Sequence, residues 1–390
     1  MLFSGRLRLL ISLAGAGALA GAGAAAGAPP LDTSNPIDIA VEAPITGSQS
    51  SNGGDQWRGV QLAAAQINNR GGVLGRKVVL HKADDRGQAS RARSVARRVI
   101  GNGWPFVIGP YNSSVGLQNL SLYRSNGVLP VWNTSDDATR GAGATVQPMN
   151  SQIAPVEASY IIKTGAKRVA MLVDETANGA FTTGMANRLT TRLEAAGVTV
   201  IRFPYSPPLA SDGSLQVGPD FFTGKVAEAL ASSPDLVYVS SYFPEGVQFA
   251  KALSAAGESP KCLMGLANVD NAFVNQTTAV QAQRCNFSGT PAAGQLPASR
   301  GYVQQYRRKF PNRRPGVWGS FYYDSARTLF AAIERAGNVR YGSVGAAIRR
   351  TRNLKGATGS ITIARNTGYR NNVPVFILRV NDKQRFVIAQ

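Results

Sequence analysis

Hydrophobic and polar positions follow two patterns along the chain: short apolar runs, and longer stretches with apolar residues three or four positions apart. The short runs are typical of buried strands and the longer spacing is typical of amphipathic helices. In the first part of the chain this pattern predicts strands at 37–41, 77–80, 106–108 and 128–132, with helices at 56–69, 88–100 and 113–125. Such alternation predicts a parallel sheet covered by helices.

A second series of the same kind begins after Gln147. Its predicted strands lie at 168–173, 198–203, 236–240 and 262–266, and its predicted helices at 154–164, 182–196, 221–232 and 245–256. The chain is therefore expected to contain two α/β units. Residues 207–218 show neither the strand pattern nor the helix pattern and are predicted to form a loop.

The last part of the chain starts with helical patterns and ends in strand patterns. Helices are predicted at 299–310 and 322–336, and strands at 360–364, 373–380 and 385–388. The turn-forming sequence Asn381-Asp-Lys383 separates the last two strands, so they are predicted to form a β-hairpin.

The first residues have the layout of a secretory signal peptide. Arg6 and Arg8 precede an apolar run that passes into small residues up to Ala28. Cleavage is predicted after Ala26, with Ala28 as the alternative, so the predicted signal peptide is 1–26 and the mature protein is expected in the periplasm. An uncleaved membrane anchor is the competing interpretation, but the Gly-diluted run falls short of the roughly 20 apolar residues of a span.

The chain is strongly basic. Its 390 residues include 42 Lys and Arg against 22 Asp and Glu, a net charge of +20, and loss of Arg6 and Arg8 leaves 40 against 22, or +18. The arginines at 91–98 lie opposite the apolar positions of a predicted helix, which indicates a solvent-facing side. The clusters at 307–314 and 349–352 are not interleaved with the stacking aromatic residues of single-strand binders. No nucleic-acid partner is predicted, and weak attraction to an anionic surface is the alternative.

Cys262 and Cys285 are the only cysteines. An even pair in an exported protein predicts a disulfide, which the chain-entropy model values at about 3 kcal/mol. Two free buried thiols are the alternative. Together with the single histidine, His81, the cysteines cannot complete a structural zinc site, and no metal or cofactor is predicted.

No coherent set of catalytic residues is found. His81 ends a strand pattern and is interpreted as an ordinary strand residue. Asp84 and Asp85 are neighbours at a strand end, where their side chains diverge, and Asp85 is interpreted as a helix-capping residue. The second acidic pair, Asp136 and Asp137, stays open. The chain is predicted not to be an enzyme.

Three short segments follow successive predicted strand ends: Gly109-Pro-Tyr-Asn-Ser-Ser114, Leu129-Pro-Val-Trp-Asn-Thr-Ser135 and Ser240-Ser-Tyr-Phe-Pro-Glu245. In this order and spacing the chain resembles the periplasmic branched-chain amino-acid receptor family, the type I solute-binding proteins of ABC importers. The resemblance covers essentially the whole mature chain.

The resemblance implies an α/β fold of two Rossmann-like lobes with parallel sheets and a hinge of three crossing segments. The first lobe is expected at 35–148 plus 290–340, and the second at 149–289 plus 341–390. A small polar solute, with an amino acid among the candidates, is expected between the closing lobes, and a monomer is expected to deliver it to a membrane permease. The alternative is a receptor of the same fold that senses a ligand and signals to a membrane partner.

The resemblance also implies a set of ligand-binding residues. In the family a serine and main-chain N–H groups after the third and fourth strands hold the ligand carboxylate, and a glutamate of the second lobe holds its ammonium. The matching positions here are Ser113 with its neighbour Asn112, then Thr134, Ser135 and Glu245. Hydroxyl and amide donors at helix N-termini suit an anion, and a carboxylate suits a cation. By residue type alone, a helix-capping serine and a first-turn glutamate explain the same positions.

The sequence departs from the family pattern at the cleft. Asp136 stands where a hydroxyl is common, and it would repel a ligand carboxylate if it faced the cleft. Asn178 and either Asn52 or Gly53 stand where the family has tyrosines. We therefore expect Asp136 and Asn178 among the ligand-binding residues and a more polar cleft than the leucine type. Branched-chain amino acids, amides, polyamine-like cations, urea derivatives and small acids all stay candidates.

Overall fold

A computed structural model describes residues 31–141 and 143–389. The predicted signal peptide, 1–26, lies outside the described residues. Within the described ranges, no helix has both the length and the apolar character required to cross a membrane. The helices and strands form two mainly parallel sheets with helical layers, which confirms the predicted α/β class.

Alternating strands and helices build the first sheet. The elements are β1 (Asp32–Ala43), α1 (Ser50–Asn68), β2 (Arg76–Asp84), α2 (Ala89–Gly101), β3 (Phe106–Ile108), α3 (Ser113–Ser125) and β4 (Leu129–Val131). The strands pair in parallel in the order β2-β1-β3-β4. Ile39, Ala40 and Val41 of β1 are fully buried, as expected for a strand covered by helices on both faces.

Helix α2 shows how the hydrophobic pattern places the basic residues. Ala92, Val95 and Val99 are buried against the sheet, whereas Arg93 and Arg97 are exposed. The apolar residues recur at helical spacing and form one stripe, so the arginines between them face solvent as predicted.

The second series follows the same alternation. Its elements are α4 (Asn150–Lys163), β5 (Arg168–Asp174), α5 (Ala180–Ala195), β6 (Thr199–Tyr205), α6 (Pro219–Ala231), β7 (Leu236–Ser240), α7 (Phe243–Ala255), β8 (Lys261–Met264), α8 (Asn271–Asn275), α9 (Ala279–Gln283) and β9 (Asn286–Gly289). Strands β5 to β9 are parallel neighbours.

The C-terminal part of the chain is shared between the two sheets. It contains α10 (Arg300–Lys309), α11 (Val317–Ala336), α12 (Tyr341–Ile348), β10 (Leu354–Gly356), β11 (Gly359–Ile361), β12 (Phe376–Val380) and β13 (Phe386–Ile388). Strands β12 and β13 form the predicted hairpin and extend the second sheet to the order β13-β12-β9-β8-β7-β5-β6. Phe386 of β13 packs edge-on against Phe287 of β9, which anchors the hairpin to the core.

The chain crosses between the two lobes after β4, after β9 and before β12. The expected boundary at residue 340 differs from the structure, because α12 packs on α11 and β4, and β10 packs on α11. Residues 341–361 therefore lie with the first lobe, and only the β12–β13 hairpin returns to the second. The sequence of α12, Tyr-Gly-Ser-Val-Gly-Ala-Ala-Ile, consists mainly of small residues and does not indicate to which lobe the helix belongs.

The predicted disulfide is confirmed. Cys262 lies in β8 and Cys285 directly precedes β9, and their sulfur atoms are bonded. Because β8 and β9 are neighbouring parallel strands, the bond joins two strands of the second sheet near their N-terminal ends.

Candidate functional site

Side chains of both lobes enclose a cavity where the C-terminal ends of the two sets of strands meet. The empty space there is about 190 Å³, most of it too narrow for a water molecule, and it is lined by Tyr111, Ser113, Ser135, Gln147, Phe181, Tyr242, Leu266 and Ala267. In open α/β sheets ligands bind outside the carboxyl ends of the strands. In this closed arrangement the cavity has room for little more than one water-sized group, so a solute would occupy it only if the surrounding side chains or the lobes moved apart slightly.

A larger groove of about 1,070 Å³ lies elsewhere, on the surface of the first lobe. It runs between α1, α10 and β10 and includes Arg70, Tyr302 and Arg327. This groove is open to solvent and receives side chains from the first lobe alone. Closure of the lobes would not enclose a solute there, so the cavity between the lobes is the candidate site.

Ser113 fixes the polar wall of the cavity. It is the buried first residue of α3, and Asn112 occupies the N-cap position without a side-chain capping bond. The Ser113 Oγ accepts hydrogen bonds from the backbone N–H groups of Ser135, at 3.3 Å, and Asp136, at 3.1 Å. The hydroxyl therefore joins the start of α3 to the segment after β4 rather than capping its own helix.

Gln147 continues the polar wall. Its Nε2 donates a hydrogen bond to Ser135 Oγ at 3.0 Å, while its Oε1 is buried and has no partner among the described residues. The Ser135 carbonyl oxygen accepts from the backbone N–H of Asn150 at 2.7 Å, at the start of α4. An unpaired buried acceptor beside the cavity is a group that a ligand donor satisfies.

Three aromatic rings form the opposite wall. The rings of Phe181 and Tyr242 lie 5.7 Å apart, and Tyr111 meets Tyr242 at 6.3 Å with an angle of 65°. Burial, followed by the nearby Asp174 carboxylate, raises the pKa of Tyr242, and the neighbouring Asn112 side chain and Ser113 backbone act against that rise. Tyr242 of the second lobe therefore reaches the N-terminus of α3 in the first, and the two lobes are closed on each other.

Thr134 and Asp136, both expected at the ligand, are turned away from the cavity. Thr134 Oγ1 hydrogen-bonds with Thr139 Oγ1 at 2.5 Å. Asp136 Oδ1 accepts from the backbone N–H of Ala138 at 2.8 Å and caps the short helix that follows. Its Oδ2 lies so close to Gly184 of α5 that a Cβ there would overlap it. In this closed arrangement Asp136 is therefore not among the residues that line the cavity.

Asn178 and Asn112 hold the lobes and loops together instead of lining the cavity. Asn178 Oδ1 accepts a hydrogen bond at 3.0 Å from the backbone N–H of Ala89, the first residue of α2. This bond crosses from the second lobe to the first. Asn112 Nδ2 donates to Gln49 Oε1 at 3.0 Å and thereby joins the loops after β3 and β1.

Glu245 lies in the first turn of α7 and does not line the cavity. Burial, together with the charge of Asp174, raises the pKa of Glu245 to about 8, and its Oε2 is buried without a partner among the described residues. Burial likewise raises the pKa of Asp174, at the end of β5. The charges of these two carboxyl groups also contribute to the raised pKa of Tyr205 and of Tyr242, so both carboxyl groups lie close to these tyrosines.

A second contact between the lobes flanks the cavity. Ser51 Oγ of α1 donates to Asp270 Oδ1 at 2.9 Å, and Asp270 also caps α8. Burial raises the pKa of Asp270 to about 6. With the Asn178–Ala89 bond, this contact holds the closed arrangement at two separate points.

The residues considered for catalysis have structural roles. His81 Nε2 contacts Asp38 Oδ1 at 2.7 Å and its ring stacks on Trp104 at 4.1 Å. Asp85 Oδ1 accepts from the Gly87 backbone at 2.7 Å in the turn before α2, whose N-cap is Gln88 rather than Asp85. Over 31–141 and 143–389, no group of His, Cys, Asp and Glu side chains is arranged to hold a metal ion.

The comparisons with known proteins agree with this architecture. The family model described as periplasmic binding protein matches residues 36–385. The Leu/Ile/Val-binding protein BraC3 of Rhizobium johnstonii is 29% identical over 335 residues, which cover 84% of this chain and 87% of that protein.

Solved structures show the same fold. A leucine-binding protein, LivK, from Thermotoga maritima superposes with a TM-score of 0.80 at 24% identity, covering 90% of this chain and 97% of that one. A solute-binding protein of an ABC transporter from Rhodopseudomonas palustris, solved in complex with 3,4-dihydroxybenzoic acid, has a TM-score of 0.77 at 19% identity and covers 90% and 95%.

Proposed function

Because the chain belongs to the periplasmic binding protein family and is a solute-binding protein rather than an enzyme, we propose that it captures a small carboxylate-bearing solute, an amino acid or a related acid, for an ABC importer. The observation that carries this proposal is the small enclosed cavity to which both lobes contribute polar and aromatic side chains. A site of this kind can form only when the lobes close, so binding and closure are one event.

An anionic group on the solute suits the polar wall. Ser113, Ser135 and Gln147 provide hydroxyl and amide donors, and the N-terminus of α3 adds the positive end of a helix dipole. The net charge of +18 on the chain without Arg6 and Arg8 favours the approach of anions over cations. These features support binding of a carboxylate at the α3 side of the cavity.

The proposal includes export and delivery. The basic and apolar residues of the first 26 positions support cleavage of a signal peptide and a periplasmic mature protein. Import is favoured over sensing because the relatives include a solute-binding protein of an ABC transporter. We propose that the protein acts as a monomer and presents its closed, loaded form to the membrane permease.

A screen of polar metabolites by thermal shift tests the function. A solute that binds only the native protein raises its melting temperature, and saturation at about 100 times Kd adds roughly 2.7 kcal/mol of stability. Small-angle scattering with the hit should show a decrease in the radius of gyration as the lobes close. A library that contains amino acids, organic acids, amides and amines but produces no shift would contradict the proposal, as would chemical turnover of the bound solute.

A further inference from the structure

The two lobes differ sharply in charge. The first lobe, residues 31–148 and 290–370, contains 27 Lys and Arg against 10 Asp and Glu, a net charge of +17. The second lobe, residues 149–289 and 371–390, contains 13 against 12, a net charge of +1. The positive charge of the protein therefore belongs almost entirely to one lobe.

Burial of acidic side chains makes the contrast at the surface larger still. Among the described residues, 20 cationic side chains of the first lobe are exposed, against two acidic ones, Asp32 and Glu334. In the second lobe nine cationic and eight acidic side chains are exposed, so the charges nearly balance there. Four acidic residues of the first lobe are buried in its interior: Glu42, Asp55, Asp85 and Asp324.

Arginine dominates the cations of the first lobe. It provides 23 of the 27, whereas the second lobe has seven arginines among 13 cations. A guanidinium group is planar, weakly hydrated and able to bind a phosphate with two parallel hydrogen bonds, which an ammonium group cannot do. This composition favours a partner that carries phosphate groups.

One group of these arginines comes together from four separate segments of the chain. The segments are the end of α3, the residues after β4, the end of α12 with the residues that follow it, and the loop after β11. We call this group the arginine face, and it consists of Arg124, Arg140, Arg349, Arg350, Arg352 and Arg365.

Arg349 anchors the arginine face. Its guanidinium donates hydrogen bonds to the carbonyl oxygens of Gly141 at 2.7 Å and Arg365 at 2.9 Å. Burial raises the pKa of Tyr341, and the charges of Arg124 and Arg349 act against that rise, so both arginines lie close to this tyrosine. The other five members of the face are exposed to solvent.

Two carboxylates precede Arg140 in the chain, and both are engaged within the protein. Asp137 pairs with Arg188 of the second lobe at 2.9 Å and accepts a hydrogen bond from the Ser151 backbone at 3.0 Å. Asp136 accepts from the Ala138 backbone. The positive charge of the arginine face is therefore left to attract a partner outside the chain.

We propose that the arginine face binds the first lobe to an anionic phospholipid surface. Cationic side chains near such a surface each contribute to binding, and a broad lobe with few exposed acids meets little repulsion there. The second lobe is nearly neutral and is not attracted. It stays free to open and close while the first lobe remains on the membrane.

Vesicle sedimentation tests the inference on the protein without residues 1–26. Vesicles of phosphatidylcholine with about 30% phosphatidylglycerol should bind it at about 0.02 M salt, and about 0.3 M salt should weaken binding at least about tenfold. Vesicles of phosphatidylcholine alone should not bind. Absence of binding to the anionic vesicles, or equal binding to both kinds, would overturn the inference.

Two sets of substitutions that remove the same number of charges locate the contact. We expect substitution of four residues of the arginine face to weaken vesicle binding at least about 30-fold, and the control set on the second lobe to weaken it less than about threefold. Equal losses would show that binding follows net charge alone and would overturn the inference. All eight side chains are exposed; the first set is Arg124→Gln, Arg140→Gln, Arg350→Gln and Arg365→Gln, and the control set is Lys163→Gln, Arg192→Gln, Lys261→Gln and Arg379→Gln.

Thermal unfolding followed by circular dichroism checks that each variant is folded. If the fourfold variant does not fold, two double variants divide the same test: Arg124→Gln with Arg140→Gln, and Arg350→Gln with Arg365→Gln. Each should weaken vesicle binding at least about fivefold.

A single-stranded oligonucleotide tests the competing polyanion at about 0.15 M salt. Binding of the oligonucleotide without binding of the anionic vesicles would assign the face to nucleic acid and overturn the inference. The solute screen described above is independent of these measurements, so failure of membrane binding leaves the proposed function intact.

Discussion

The hydroxyl oxygen of Ser113 accepts a hydrogen bond from the backbone N–H of Asp136 at 3.1 Å. Ser113 is the first residue of α3, and Asp136 follows β4, the edge strand of the first sheet. The bond sets the distance between these two segments, and both contribute to the polar wall of the cavity. This bond lies within the first lobe and holds Ser113 close to the segment that contains Ser135.

Replacement of Ser113 by alanine should weaken solute binding. The change leaves the buried N–H groups of Ser135 and Asp136 without their acceptor and removes a hydroxyl from the lining. We expect Kd to rise at least about tenfold, measured by calorimetry. Ser125→Ala at the exposed end of the same helix is the matched control. Equal affinities of the two variants would contradict the assigned role.

Asn178→Ala should shift the protein toward the open form without touching the cavity. The variant loses the hydrogen bond from the Ala89 backbone, which exists only while the lobes are closed. We expect Kd to rise roughly three- to tenfold and the radius of gyration to increase when solute is below saturation. Asn187→Ala, in which the lost bond to Arg202 lies within the second lobe, should change neither quantity.

Stability should fall as the pH rises from mildly acidic to neutral. Burial raises the pKa of Glu157 from its ordinary value of 4.5 to about 7, although hydrogen bonds from Ser288 and Tyr238 act in the opposite direction. Between these values the folded state keeps a proton that the unfolded chain has released, so the contribution of Glu157 to the free energy of unfolding decreases with pH and levels off above about 7. Burial raises the pKa of Asp85 to about 7 and adds to the same trend.

Glu157→Gln tests the origin of this trend. The amide reproduces the protonated acid, so the variant should lose about 2 kcal/mol of the stability difference between about pH 5.5 and about pH 8. Urea unfolding at the two pH values measures it. Glu194→Gln, on the exposed side of α5, should keep the full difference. An unchanged pH dependence in Glu157→Gln would show that other groups dominate.

Removal of the disulfide should reduce stability but not binding. The bond between Cys262 and Cys285 spans 23 positions, for which the chain-entropy model gives about 3 kcal/mol. It joins β8 and β9 away from the strand ends that lead to Leu266. In the double alanine variant we expect the urea midpoint to drop, while Kd stays within about twofold. A large loss of affinity would mean that the bond shapes the cavity.

Export should leave a mature chain that begins at Gly27. Intact mass measurement of the protein from the periplasmic fraction would show removal of residues 1–26. A mature chain that starts at Pro29 would support the alternative site after Ala28. Retention of the first residues in a membrane fraction would support the anchor interpretation instead.

The periodic pattern was a good guide to the elements and a partial guide to their assembly. Strands such as β5, with consecutive buried apolar residues, and helices such as α2, with one apolar stripe, follow directly from spacing. Strand β9, Asn-Phe-Ser-Gly, contains one large apolar residue and was missed. Its strand conformation depends on pairing with β8 and β12, which a local pattern does not contain.

The sequence predicted those site residues that lie in the segment directly after a strand of their own lobe. Ser113 and Ser135 were singled out and line the cavity. Asn178 was assigned to the ligand, but its partner is Ala89, 89 residues away on the other lobe. Gln147 was missed because its amide reaches the cavity from the crossing between the lobes. Only the closed arrangement reveals which side chains share the enclosed space.

Each lobe is built from portions of the chain that are far apart in sequence, which affects when the lobes can fold during synthesis. The first lobe lacks α11 until residue 336 has been synthesised, and the second lacks its last two strands until residue 388. A ribosome therefore releases nearly the whole polypeptide before either hydrophobic core can be completed. Late completion of both cores favours a chain that has not reached its final fold when it is translocated across a membrane.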